Sequence, residues 1–320
     1  MSEDGVSVIP TVTVAQMREV DRIMVDELHI ELLQMMENAG RCLAAHARSW
    51  LGGQLTGRQV VVLAGSGGNG GGGLVAARRL TIWGAVAAVV LGQSRSEVRG
   101  VPAHQLEILG RMGVPVWTAE QYLPDALARA DAILDALIGY SLQGPPRKPI
   151  ASLIRAANRA TAPVVALDVP SGLDGDSGQA FDPTIKAATT LTLALPKAGL
   201  LQPAAQDWVG DLFLADISVP VQVYQQLGEP RISQQVPARV LDRPRVPAHR
   251  AGPAPHHRNR LRRAAPARCT PGTVHSATLA CWPPFLGVAR LLTTVSSAIG
   301  CAFIRVAALG RGWCAAGGVW

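Results

Sequence analysis

The stretch VVVLAGSGGNGGGGLVAARRL, residues 60–80, decides how the rest of the chain is read. The run Gln59–Ala64, largely β-branched, reads as a strand buried on both faces. Seven of the nine residues from Gly65 to Gly73 are glycine and form a loop. Leu74–Gly84 reads as a helix with Arg78 and Arg79 on its outer side, and Ala85–Leu91 as the next strand. Strand, glycine loop, helix, strand is the order of a right-handed βαβ crossover. The loop has two readings. Its backbone N–H groups and the helix N-terminus can hold a phosphate, or it is a tight turn and nothing more. G-x-G-x-x-G matches, such as Gly65–Gly70, come almost automatically from so many glycines. Asn69 is the loop's one strong side-chain ligand, and Ser66 adds a hydroxyl.

Outward from this unit the alternation continues. Upstream, residues 13–49 read as two helices, with Thr13 or Thr11 as cap and Met17, Val20, Ile23, Met24 and Leu28 at helical spacing. The second runs from Leu32 to about Trp50 and ends at Gly52 and Gly53. Downstream, helices at 102–112, 123–130 and 150–160 alternate with strands at 115–117, 132–137 and 163–167, and strands follow at 189–195 and 212–216. The pattern predicts an α/β fold, a Rossmann-like doubly wound, mostly parallel sheet with helices on both faces. Ligands of such sheets bind beyond the carboxyl ends of the strands. Four of those ends carry unusual residues: GSGGNGGGG, DALIGYS, DVPSGLDGDSG and LPKAG.

The basic net charge of +7 belongs to one end. Through residue 242 there are 19 Lys and Arg against 23 Asp and Glu, a balance of −4. From Arg243 onward there are 11 Arg and no acid. The basic balance is therefore a property of the tail and no evidence that the body binds nucleic acid. Only Cys42 lies in the body, and the tail cysteines match no zinc spacing, so a reducing, cytoplasmic compartment is expected. No signal peptide is visible, and the longest uncharged apolar run, Leu291–Ile304, is short for a membrane span. Residues 1–230 read as one domain and 231–320 as a linker and a non-globular Arg-, Pro- and Ala-rich tail, disordered or frameshifted beyond about 245.

The strand ends supply the candidates for chemistry. Asp135 closes AILDAL and Asp168 sits in ALDVPSG, each either a turn cap or a site carboxylate. Ser171 can point at the same volume as Asp168, whereas Asp174 and Asp176 read as solvated turn residues. Lys197 is either a surface side chain or an acid–base partner of Asp168. His29, His46 and His104 read as exposed or capping, and no Ser-His-Asp or Cys-His arrangement supports acyl transfer.

With those residues in order, the chain resembles the NAD(P)H-hydrate epimerase family over about residues 10–222. The likeness rests on MREVDRIMVDEL, MMENAG, LAGSGGNGGGGLVAARRL, ILDALIG, VVALDVPSGLDGDSG, LTLALPKAGLL and VGDLFLADISVP. It implies a K+-dependent homodimer that interconverts the R and S hydrates of NADH and NADPH (NADHX and NADPHX), with a dehydratase as functional partner. It implies Asn69, Asp135 and Ser171 as K+ ligands, one ion per subunit, and Asp168 and Lys197 as the catalytic pair. It places the substrate against Gly68, Asn69, Gly70, Gly71, Gly72, Gly139, Tyr140, Ser141, Leu142, Gln143, Gly144, Pro145 and Asp168. Three departures stand out. The family's GxGNNGGDG has glycine at Gly68 and Gly72, and GTGL-x-R-P has become Gly139-Tyr140-Ser141-Leu142-Gln143-Gly144-Pro145. Weakened epimerase activity is expected, and the alternative is a non-enzymatic nucleotide-binding homologue. A dehydrogenase is disfavoured, because VLGQSRSE holds Gln93 or Ser94 where the fingerprint needs an acid.

Overall fold

The computed structural model describes residues 10–121, 124–227, 303–309 and 312–314. Helix α1 (Val14–Arg22) begins at Thr13 in a capping box with Gln16, and a π-type turn, Ile23–Glu27, continues it. Helix α2 spans Leu32–Trp50. The sheet is then laid down as β1 (Gln59–Ala64), α3 (Gly68–Ile82), β2 (Val86–Leu91), α4 (Gly100–Arg111), β3 (Val116–Thr118), α5 (Pro124–Ala128) and β4 (Ala132–Ala136). It continues through α6 (Ile150–Arg159), β5 (Val164–Leu167), β6 (Thr189–Leu193), α7 (Gln206–Val209), β7 (Asp211–Ala215) and α8 (Val221–Gln226). Seven parallel strands lie in the order β3-β2-β1-β4-β5-β6-β7.

Strands β2 and β5 are wholly apolar, and β1 is apolar after Gln59, because both faces of the sheet are covered. Val60, Val62 and Ala64 pack into a core shared with α2, α3 and α4, while Val61 and Leu63 pack into one shared with α5 and α6. The doubly wound α/β sheet expected from the alternation is therefore the fold. Glu37 on α2 ties α2, α3 and α4 together. It accepts from both Arg78 and Arg79 on α3 and from Gln105 on α4.

The structure corrects the reading of the opening stretch. The glycine loop is only Gly65–Gly67, and α3 begins at Gly68 rather than at Leu74. Glycine is a poor helix former, by about 1 kcal/mol against Ala. Packing overrides that preference. A Cβ at Gly70 would sit 1.8 Å from the Gly65 carbonyl, one at Gly71 2.3 Å from Met36 Sδ, and one at Gly73 2.6 Å from the Ala136 Cβ. On α2, a Cβ at Gly40 would lie 2.5 Å from the Gly72 carbonyl. The two helices thus approach backbone to backbone, and glycine is what permits it.

Two further expectations change. His46 is buried and its Nε2 lies 3.0 Å from Thr189 Oγ1, because α2 lays it against β6. His29 and His104 are exposed as expected. In the tail read as non-globular, β8 (Phe303–Leu309) pairs antiparallel with β7, and β9 (Gly312–Cys314) with β8. The edge of β7 offers unpaired backbone groups that an added strand can satisfy. The remainder of the tail, with the linker and frameshift expectations, lies outside the described residues.

Candidate active site

The strand order reverses between β1 and β4, with β2 and β3 to one side and β5–β7 to the other. A parallel sheet takes its ligand in the crevice outside the carboxyl ends at such a switch point. Here the crevice is edged by Gly65–Gly67 and the uncapped start of α3 on one side, and by the segment after β4 on the other.

Asp135, on β4, is fully buried. Its carboxylate accepts from the Ser171 N–H (2.8 Å), the Ser171 hydroxyl (2.6 Å) and the Leu137 N–H (3.2 Å). Burial pushes its carboxyl up to about 6, against the lowering pull of those donors. Ser171 Oγ also contacts Ile138, accepting from its N–H at 2.9 Å and lying 3.1 Å from its carbonyl. The next residue, Gly139, meets Asn69: a Cβ there would stand 3.2 Å from the Asn69 Cγ. The structure therefore joins Asp135 to Ser171 directly and brings Asn69 against the adjoining backbone. The Asn69 Nδ2 is buried without a hydrogen-bond partner. Carboxylate, hydroxyl and amide oxygens form a hard donor set of the kind alkali and alkaline-earth cations take. Among the described residues, no group of three His, Cys, Asp or Glu could hold a softer metal.

One strand over, Asp168 follows β5 and is 3% exposed. Its φ of +68° is left-handed, a conformation that costs a non-glycine residue on the order of 1 kcal/mol or more. Pro170 and Gly172 hold the turn around it, and Gly172 is pressed to 2.4 Å of the Pro183 carbonyl by any Cβ. Asp168 Oδ1 accepts from Lys197 Nζ and from the Leu193 N–H at 3.2 Å. Lys197 is no surface lysine: it is 0% exposed and also donates to the Leu193 carbonyl at 3.0 Å. The Tyr140 ring centroid lies 5.6 Å from Nζ. A buried carboxylate and ammonium in contact form a unit that can give and take a proton away from bulk water.

The segment 139–145 divides. Gly139 and Tyr140 reach the buried groups, while Ser141, Gln143 and Pro145 are exposed and Leu142 and Gly144 half-buried on the rim. Gly144 has φ +80° and open space around it. At the start of α3, Gly68 is exposed, with Met36 Cε 3.8 Å from any Cβ it carried. Gly70, Gly71 and Gly72 are buried, so positions 70 and 71 can offer a ligand only backbone.

Asp21 escaped the sequence reading. Its carboxylate accepts the Tyr140 hydroxyl proton, and burial raises its carboxyl above the ordinary range. Between Arg18, Glu19 and Arg22 it reads as one more solvated helix charge; only the docking of α1 turns it inward.

A family model described as YjeF-related protein N-terminus matches residues 32–199, which enclose Asn69, Asp135, Tyr140, Asp168, Ser171 and Lys197. The chain belongs to this family. Among relatives of this YjeF-type domain, an NAD(P)H-hydrate epimerase of Dehalogenimonas lykanthroporepellens is 44% identical over 227 residues, covering 70% of this chain and 88% of that one. The bifunctional NAD(P)H-hydrate repair enzyme Nnr of Moorella thermoacetica is 35% identical over 214 residues. Of that longer enzyme the chain spans 40%. The crystal structure of the yeast protein ynu0 superposes with a TM-score of 0.61 at 26% identity, covering 69% of this chain and 94% of that one. Among the described residues, no helix is long and apolar enough to cross a membrane.

Proposed function

We infer that this YjeF-type domain interconverts the R and S epimers of hydrated NADH and NADPH. The single observation that carries the reading is the buried Asp168–Lys197 pair beyond the carboxyl ends of β5 and β6. The reacting carbon of the hydrate bears a hydroxyl and is bonded to the ring nitrogen. Protonation of that hydroxyl lets the C–O bond break as the nitrogen lone pair forms a C=N bond, with water leaving. Water returning to the opposite face re-forms the C–O bond, gives its proton back to the site and yields the other epimer. The Asp168–Lys197 pair is the unit for that proton traffic: the proton shared between carboxylate and amine goes to the leaving hydroxyl, and the pair takes one back from the returning water. Positioned acid–base groups of this kind contribute roughly 10²–10⁴-fold.

Asn69, Asp135 and Ser171 would hold one K+ per subunit. A buried carboxylate without a basic partner, with the Ser171 hydroxyl against it and Asn69 beside the adjoining backbone, supports that assignment. Bound there, the ion would supply positive charge to a dry crevice and fix the loops after β1, β4 and β5. A homodimer working in the cytoplasm beside a dehydratase that consumes the S epimer completes the proposal; the fused enzymes of Moorella thermoacetica and Salinibacter ruber are named for hydrate repair as a whole.

The deciding experiment is an assay with the R hydrate, coupled to an excess of S-specific dehydratase, with K+ or choline as the monovalent cation. Turnover that rises with K+ supports the reading. Hydrate binding without turnover would instead establish a binding protein, the outcome that exposed Gly68 and open Gly144 favour.

A further inference from the structure

Four polar groups from four parts of the chain, the reacting pair among them, meet here. Asp21 comes from α1, Tyr140 from the segment after β4, Asp168 from the end of β5, and Lys197 from the turn after β6. The Tyr140 hydroxyl donates to Asp21 Oδ2, and its ring faces Lys197 Nζ at 5.6 Å. Lys197 Nζ has two oxygen acceptors, Asp168 Oδ1 and the Leu193 carbonyl. The aromatic face covers a further side of the ammonium, an arrangement that attracts a cation and excludes water. The Tyr140 ring packs, partly buried, between two apolar clusters, one built from α1, α2 and α8 and one around Val169, Leu173 and Leu200. Its neighbours Ser141 and Gln143 are exposed, and the segment makes no strand or helix until Ile150. Apolar packing leaves the hydroxyl end of the ring to be oriented by its bond to Asp21. The family match begins at residue 32 and so leaves Asp21 outside it.

We propose that Asp21 is a positioning residue: through the Tyr140 hydroxyl it holds the aromatic ring over Lys197, and so sets the geometry of the Asp168–Lys197 pair. This rests on the epimerase reading. Asp21 makes no hydrogen bond to either member of the pair; its contact with them runs through Tyr140, and its charge is felt by both, which is why the neutral Asn variant below is decisive.

A double-mutant cycle tests it in the full-length protein with the coupled R-hydrate assay. Asp21→Ala and Tyr140→Phe each break the same bond, and each is expected to lower kcat/KM by about tenfold, with the loss in kcat rather than KM. The double variant is expected to be no worse than either single one, because residues acting through one contact are non-additive. Asp21→Asn, whose amide oxygen still accepts the phenol proton, is expected to recover activity to within about threefold of the parent. Losses that multiply in the double variant, or no rescue by Asn, would overturn the proposal.

A second readout does not depend on turnover. Burial and the carboxylates of Asp21 and Asp168 push the Tyr140 phenol well above its ordinary range, against the opposing pull of Arg18. The phenolate absorbance lost in Tyr140→Phe marks this residue. It is expected to appear at lower pH in Asp21→Ala than in the parent. An unmoved Tyr140 titration would sink the tether. A parent protein that shows the titration shift but no epimerisation would sink the epimerase reading and leave the tether standing.

Discussion

Asp135 and Asp168 close adjacent strands of one sheet and are equally hidden from water, yet their surroundings are opposite. Asp135 meets only neutral donors, two backbone N–H groups and a hydroxyl, and its carboxyl is pushed up to about 6. Asp168 meets an ammonium that is itself fully buried. One carboxylate is short of positive charge and the other has been supplied with it from within the chain. The difference separates two jobs that burial alone would not. Asp135 suits a site that a cation completes, and Asp168 suits a proton-transfer pair that needs no ion.

The comparison breaks most visibly at Asp168. Asp168→Asn leaves the Lys197 ammonium buried without a counter-charge, and removing one partner of such a pair costs about 3–5 kcal/mol. Epimerisation is expected to fall by at least ~100-fold. Denaturant unfolding and the coupled assay check the two effects, and a stable, active Asn variant would show that the pair is not the reacting centre.

At Asp135 the expected signature is in pH and salt. Its folded-state carboxyl, about 6, lies above the ordinary 3.8. The folded protein therefore holds this proton more tightly than the unfolded chain. Its contribution is fully present below the ordinary value and is lost as pH rises through about 6. The shift corresponds to roughly 3 kcal/mol. In choline buffer, stability is expected to drop by that order between pH 4 and 7, and K+ to restore it at pH 7 but not at pH 4. Thermal unfolding midpoints that respond equally to K+ at both pH values would remove Asp135 from any cation site.

The glycines of α3 sharpen the contrast from below, because they support the two strands separately. Position 73 abuts Ala136, beside Asp135, and position 72 abuts Leu167, beside Asp168. Gly73→Ala forces a Cβ to 2.6 Å of the Ala136 Cβ and is expected to destabilise by about 1–3 kcal/mol. Gly72→Ala meets the movable Leu167 Cδ2 at 3.0 Å, and the gain in helix propensity offsets it to within about 1 kcal/mol. Chemical denaturation of the two variants side by side decides whether the β4 end is the more rigid.

The smallest effect is expected at Gly68, where a side chain has room. Gly68→Asn should leave stability within about 0.5 kcal/mol, as exposed substitutions do. It should raise hydrate turnover several-fold if a missing side chain is what weakens the site. A loss of turnover would mean that bare backbone is required at the helix start.

Much of this was legible in the chain. The period of the buried strands and the turn residues between them specified the α/β order, and Asp135, Asp168, Ser171 and Lys197 stood out because polar residues closing apolar strands are unusual. The start of α3 was not legible. Local propensity argues against a helix of glycines, and only the close approach of α2 at Gly40 makes one favourable. His46 misled for a related reason: its Thr189 partner is far along the sequence.

What the sequence by itself determined is therefore the layered fold, the family and the crevice at the strand ends, since these follow from local periodicity and from motifs whose residues are near neighbours. The tertiary structure alone decided which charges are paired. Lys197, after β6, reaches Asp168, after the neighbouring β5; Asp21 reaches Tyr140 from α1; and Asp135 is left with neutral donors. Pairing depends on distances of a few ångströms between segments far apart in the chain, and no local pattern encodes those distances.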